Sequence, residues 1–211
     1  MKKIFFIIIL LTSLKNFSQN AEDKVGVWYM FGASHQITEK WHITTLTHFR
    51  FFELSKDLQQ LITRFGINYN FNKNINTTLG YAYNNNDTTY SVKGGETNEQ
   101  RIYEDLNIKH SLSFLNFKHR FRLEHRFLES NTNHWIRYKL ELNHFFTKKW
   151  AAFYFQEFFL NFQNEIFPQN RLSGGFSYKV SNLLKLKIGY LNQQRIITKF
   201  HRLQLGFFFS T

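Results

Sequence analysis

Cations carry most of the chemical potential of this chain, and they fall at every second position. The run Lys118-His119-Arg120-Phe121-Arg122-Leu123-Glu124-His125-Arg126 sets Lys118, Arg120, Arg122, Glu124 and Arg126 on one side of an extended backbone, because successive strand side chains point to opposite faces. The same phase elsewhere collects fifteen basic residues: Arg50, Arg64, Arg101, Lys109, Lys118, Arg120, Arg122, Arg126, Arg137, Lys139, Arg171, Lys179, Lys185, Lys187 and Arg202. Only Asp105, Glu124 and Glu141 join them as acids. Such a face can select anions, or it can brace an enclosed polar interior through ion pairs. The best-placed residues for either role are Arg64, Arg120, Arg122, Arg126, Arg137, Lys139 and Arg171, with Glu124 and Glu141 as partners. In a narrow interior, bracing is the favoured role of the two.

Catalytic and metal chemistry find less support. There is no cysteine, so thiolate sites, disulfides and a lipoprotein anchor are excluded. Acyl hydrolysis needs a serine beside an oriented histidine. Ser111 and Ser113 lie near His110, but adjacent strand residues face opposite ways, and Ser173 and Ser177 have no histidine on their own face in the hairpin. No Gly-x-Ser-x-Gly elbow occurs. His42, His48 and Glu157 can reach the polar face, but no spacing joins them. The residues therefore point to no catalytic centre, metal site or cofactor, and the alternative is a lipid-modifying hydrolase.

The elements that would position these residues are strands with a period of two. Leu61, Phe65, Ile67, Tyr69 and Phe71 oppose Arg64, Gly66, Asn68 and Asn70, and the same alternation recurs to Leu203, Leu205, Phe207 and Phe209. Eleven candidate strands start near 25, 40, 59, 75, 99, 117, 133, 149, 169, 183 and 200. Short turns are expected near 37–40, 72–74, 115–116, 146–149 and 180–183, and longer loops near 54–59, 85–98, 129–133, 163–169 and 193–199. Only 150–162 is aromatic on both sides, which a bulge or a packed interior would explain. Gly66, Tyr69, Gly80 and Tyr81 recur as Gly175, Tyr178, Gly189 and Tyr190 at an offset of 109, by convergence of hairpin chemistry rather than by duplication. If the loop 129–133 closes symmetrically, Glu124 meets Lys139, Arg122 meets Glu141 and Arg126 meets Arg137. Each opposite-charge pair would then contribute about 0.2–1 kcal/mol.

Physical cost decides which face is enclosed. A cation near a bilayer midplane costs about 2–4 kcal/mol, so the basic face turns inward and the Phe, Tyr, Leu and Ile face meets lipid. A soluble calyx with the apolar face inward would need only about eight strands. Trp41 and Trp150 follow Lys-bearing turns, and His110, His119 and His144 fall toward the turns on the apolar face, as members of an interfacial girdle. Residues 1–18 read as a secretory signal peptide, with Lys2 and Lys3 before the apolar stretch Ile4 to Leu11, leaving one domain over 19–211. That span has 24 basic and 15 acidic residues, a net charge of +9, with one proline and no apolar run long enough for a membrane helix. An exported basic protein meets membrane lipid, lipopolysaccharide or small anionic solutes rather than nucleic acid.

Val27-Trp28, Lys40-Trp41, the basic run 118–126, Trp135-Ile136-Arg137-Tyr138, Glu157-Phe158-Phe159, Asn170-Arg171 and Gly189-Tyr190 together resemble the "domain of unknown function 2490" family of Bacteroidota outer-membrane barrels. The resemblance implies an outer-membrane location and no known reaction, substrate or catalytic residue. The expected fold is all-β: one antiparallel, up-and-down transmembrane barrel in a Gram-negative outer membrane. Bacterial barrels favour even strand numbers, so about ten strands are expected, with twelve as the second choice. The expected function is that of a structural barrel or a narrow, porin-like pore with a basic lumen.

Overall fold

A computed structural model of the chain describes residues 21, 24–90, 95–161, 163 and 166–211. The expected signal peptide lies outside the described residues. Eleven strands follow one another: β1 (Val25–Gln36), β2 (Trp41–Phe51), β3 (Leu58–Asn70), β4 (Ile75–Asp87), β5 (Glu96–Leu112), β6 (Leu115–Phe127), β7 (Thr132–Phe145), β8 (Trp150–Asn161), β9 (Gln169–Lys179), β10 (Leu184–Arg195) and β11 (Lys199–Ser210). Each pairs antiparallel with its sequence neighbour, and β1 pairs with β11 to close the wall. The shortest strands have 11 residues, the length a tilted strand needs to cross a bilayer. No described helix is long and apolar enough to cross one.

The up-and-down barrel has eleven strands, and all eleven candidates are wall strands. Evenness is not required, because an odd meander closes if its first and last strands run the same way. Here β1 and β11 pair in parallel from Val25↔His201 to Ser34↔Ser210. The chain end is tied down across this seam: Thr211 N–H donates to Ser34 C=O at 2.9 Å. The N-terminal end of β1 consequently lies at one rim and the end of β11 at the other. The rim carrying 37–40, 71–74, 113–114, 146–149 and 180–183 is the turn end below; the opposite rim is the loop end.

Turn chemistry sets the turn end. Thr38 Oγ1 accepts from Trp41 N–H at 3.0 Å, and Thr147 Oγ1 accepts from Trp150 N–H at 3.0 Å. The tightest turn is Ser113-Phe114, with Ser113 at φ 54°, two residues before the position its sequence suggests. At the loop end the connection expected at 129–133 is tighter and shifted. Leu128 N–H donates to Asn131 C=O at 2.9 Å, and Phe127 pairs with Thr132. The register of β6 on β7 therefore moves by four residues from the symmetric closure. Arg122 faces Arg137, Arg120 faces Lys139 and Lys118 faces Glu141, so the expected Glu124–Lys139, Arg122–Glu141 and Arg126–Arg137 pairings do not form. An even shift keeps every side chain on its face, which is why the faces survive the wrong register.

Burial is inverted relative to a soluble barrel. Arg122, Glu124, Arg137, Glu157 and Arg202 are among the most buried side chains, whereas Phe65, Leu79, Ile102, Phe121, Phe176 and Ile188 lie exposed on the outer wall. β8 resolves as a packed lumen strand without a bulge: Phe153, Phe155, Glu157 and Phe159 point in, and Tyr154 and Phe158 point out. Trp41 lies 4.8 Å from Tyr69 and Trp150 lies 4.7 Å from Tyr178, both on the turn-end girdle. His110 stacks on Phe117 at 4.7 Å, His119 meets the Tyr138 hydroxyl at 2.9 Å, and His144 sits edge-on to Phe114 and Phe146, all on that girdle.

The offset of 109 has a structural counterpart. Shifted by 109, the spans of β1–β4 fall within two residues of β7–β10. Gly66 faces Gly80 and Gly175 faces Gly189, and each glycine pair lies beneath an aromatic ring from a neighbouring strand. A Cβ at Gly80 would come within 2.2 Å of Tyr103 Cζ, and one at Gly189 within 2.7 Å of Phe153 Cζ. The rings come from opposite sides, Tyr103 from β5 and Phe153 from β8. The shared glycines thus answer one packing problem: covering a bare backbone with a lumen aromatic.

Candidate functional site: the charged lumen

Alternation on β5 to β9 delivers the lumen side chains, and pairing of adjacent strands decides which charges meet. Asp105 of β5 sits opposite Arg122 of β6, and the two form a bidentate ion pair, with Nε–Oδ1 at 2.6 Å and Nη2–Oδ2 at 2.7 Å. Glu124 takes Arg126 Nη2 at 2.6 Å and Arg137 Nη1, with Arg122 at 3.5 Å and Arg101 at 3.7 Å. Glu157 takes Arg137 Nη2 at 2.6 Å, Arg120, and Arg171 at 3.6 Å. Glu99 pairs with Arg101. Four carboxylates thus hold six arginines in one buried network running from β5 to β9.

A second cluster lies nearer the turn end. Glu141 is approached by Lys139 at 3.1 Å, Lys118 at 3.5 Å and Lys187 at 4.0 Å, and it accepts from Asn143 Nδ2 at 3.1 Å. Aromatic faces support the cations that carboxylates must share. Arg122 lies 4.1 Å from the Tyr103 ring centre, Arg126 4.0 Å from Trp135, Arg137 4.3 Å from Phe159 and Lys187 3.6 Å from Phe153. Guanidinium stacking on a ring leaves the in-plane N–H groups free for carboxylates.

The expected site residues are therefore brought together in two groups. Arg120, Arg122, Glu124, Arg126, Arg137 and Arg171 share the central network, and Lys139 and Glu141 form the core of the second cluster. Arg64 stands apart: among the described residues it makes no ion pair and no hydrogen bond. Sequence reasoning counts Glu157 among the groups that can reach the lumen but does not mark it as a hub, because both faces of 150–162 are aromatic and nothing in the spacing joins it to the arginines. Glu99 was missed because it falls beside the expected loop, although it lies two residues from Arg101 and so on the same face.

Of the residues weighed for catalysis, Ser111, Ser173 and His48 are engaged elsewhere. Ser111 Oγ donates to Asn116 Oδ1 at 2.7 Å, Ser173 Oγ lies 2.8 Å from the Tyr190 carbonyl and 2.7 Å from Gln204 Oε1, and His48 Nδ1 lies 3.3 Å from Arg50 Nη2. Among the described residues, no group of three or more His, Cys, Asp or Glu is placed to hold a metal ion.

Two cavities lie in the lumen on either side of the central network. One of about 460 Å³ opens at the turn end beside Lys109, Lys118, Lys139, Lys185 and Glu141. The other, about 320 Å³, opens at the loop end beside Arg50, Arg171, Arg195, Trp28 and Trp135. Arg64 borders both, Arg122 and Asp105 border the first, and Arg137 borders the second, so the buried network stands between them.

A closed wall that is apolar outside and ionic inside, with strands long enough to cross a bilayer, defines a transmembrane β-barrel of the outer-membrane class. Residues 25–203 match the family described as a protein of unknown function (DUF2490), and the chain belongs to that family of Bacteroidota outer-membrane barrels. It is an outer-membrane protein whose lumen is lined by a buried salt-bridge network. No curated protein and no solved structure matches the chain.

Proposed function

We propose that this is a non-enzymatic barrel of a Gram-negative outer membrane whose interior is braced rather than open. Residues 1–18 direct its export, the turn end faces the periplasm and the loop end faces outward. The observation that carries this reading is the network of Glu124, Arg137 and Glu157, nearly solvent-free, standing between two separate cavities. Ions that pass must do so at Arg64, and the surplus of lumen cations favours anions. Lipid and lipopolysaccharide contact the apolar outer wall and its girdles, and small anions enter the basic vestibules.

Planar bilayers test this. Wild-type protein is expected to carry only a small, anion-selective current. An Arg122→Ala, Arg137→Ala double variant should remove the partition and its charge together, raising conductance and lowering anion selectivity. A large wild-type current of porin type would contradict the bracing, and turnover of phospholipid or lipopolysaccharide by pure protein would contradict the absence of catalysis.

A further inference from the structure

The loop-end cavity gathers several cations that have no carboxylate partner among the described residues. Arg50 is buried, with 6 % of its surface exposed, and stacks 3.9 Å from the centre of the Trp28 ring. Its Nη1 donates to Gln60 Oε1 at 2.5 Å, yet its Nε is buried with no partner. The indole N–H of Trp28 and that of Trp135 are likewise buried and unpartnered. All three residues line the cavity, as do Arg64 and Arg195. Among the described residues, none of Arg50, Arg64 and Arg195 has a carboxylate within ion-pair distance. The acids at the cavity edge are engaged elsewhere: Asp87 Oδ1 accepts from Thr89, and Glu99 pairs with Arg101.

Buried donors are normally matched, and a buried guanidinium without a counter-charge is costly. The carboxylates below cannot supply it, since Glu124 and Glu157 are already shared among several arginines. The matching group must be an oxyanion with several acceptor lone pairs. It must also be compact, given a cavity of about 320 Å³. The rings of Trp28, Trp135 and Phe159 are already covered by Arg50, Arg126, Arg137 and Arg171, so the uncompensated cations rather than bare ring faces are what a ligand meets.

We propose that the loop-end cavity binds a phosphate monoester: its phosphate lies between Arg50 and Arg64 and supplies the counter-charge these guanidiniums lack, while a small organic part such as a sugar extends toward the loop-end opening. This inference rests on the basic, braced lumen proposed above, but it does not depend on whether the barrel conducts. The same phosphate chemistry occurs in a soluble sugar phosphate and in a lipopolysaccharide headgroup.

Titration of the full detergent-solubilised barrel separates these possibilities. Glucose 6-phosphate, neutral glucose and lipid A in mixed micelles are followed by tryptophan emission and calorimetry. Glucose 6-phosphate or lipid A should saturate at one site while glucose does not. Arg64→Gln should weaken that binding about tenfold or more. Lys109→Gln, at the turn-end cavity, should leave it within about twofold. Whichever phosphate is lost with Arg64 identifies the source. Absence of saturation by both, equal binding of glucose, or equal effects of Arg64→Gln and Lys109→Gln would overturn the site. Arg50→Gln should weaken binding similarly. If that variant does not fold, Arg64→Gln still decides, because the Arg64 guanidinium has no bond that the fold would lose. Failure of the conductance prediction with retained phosphate binding would leave the site standing, and the reverse result would leave the braced barrel standing.

Discussion

At the scale of residues, the lumen is organised by too few acids. Glu124 and Glu157 are each shared by several arginines, and each is almost fully buried. Desolvating a carboxylate is tolerable only where its lone pairs are filled by strong donors. Removing one such acid strands several guanidiniums at once. Glu124→Gln is therefore expected to cost about 3–5 kcal/mol in urea unfolding of the refolded barrel. Lys118→Gln, at a side chain 46 % exposed, should cost about 0–1 kcal/mol. Equal effects would mean that the network is decorative.

At the scale of elements, the hairpins depend on glycines that leave room for a neighbour's ring. Gly80 and Tyr103 make the clearest case, since the atoms a new Cβ would strike belong to the Tyr103 ring rather than to backbone. Gly80→Ala should destabilise by about 1–3 kcal/mol through overpacking. In a Tyr103→Ala background the same change should cost almost nothing, so the two substitutions should be strongly non-additive in unfolding midpoints. Additive effects would show that the ring and the glycine do not share one space. The repeat at 109 carries this logic to β9 and β10, where Phe153 arrives from the other side.

At the scale of the whole molecule, closure is the decisive feature. A meander of eleven strands must end with a parallel pair, and parallel pairing is slightly weaker per residue than antiparallel. The seam compensates with tight packing inside, where Phe208 lies against both Gly32 and Gly206, and with stacking outside, where Phe31 and Phe207 lie 5.4 Å apart. The native chain has no cysteine, so the seam can be tested cleanly. An Ala33→Cys, Phe209→Cys variant joins direct partners and should form an intrachain disulfide that shifts gel mobility. An Ala33→Cys, Leu203→Cys variant should not. The absence of cross-linking in the first would mean that β1 is not seated against β11.

Local physics is what the amino-acid order settled by itself. Alternation with period two determines where strands run and which side chains share a face, and it alone places Arg122, Arg137 and Glu141 on one face and Phe65 and Phe121 on the other. Cost in lipid then fixed which face is enclosed, because no bilayer accepts a ring of outward arginines. Properties that join distant segments were decided only by tertiary structure. A tight turn at 128–131 set the β6–β7 register, and with it the actual partners of Glu124. Glu157 became a hub because β8 lies beside β7 and β9, a neighbourhood that its own doubly aromatic stretch does not announce. The strand number followed from how β1 meets β11, a contact between the two ends of the barrel that no local pattern encodes. The two cavities likewise exist only because side chains from many strands meet, or fail to meet, in one closed space.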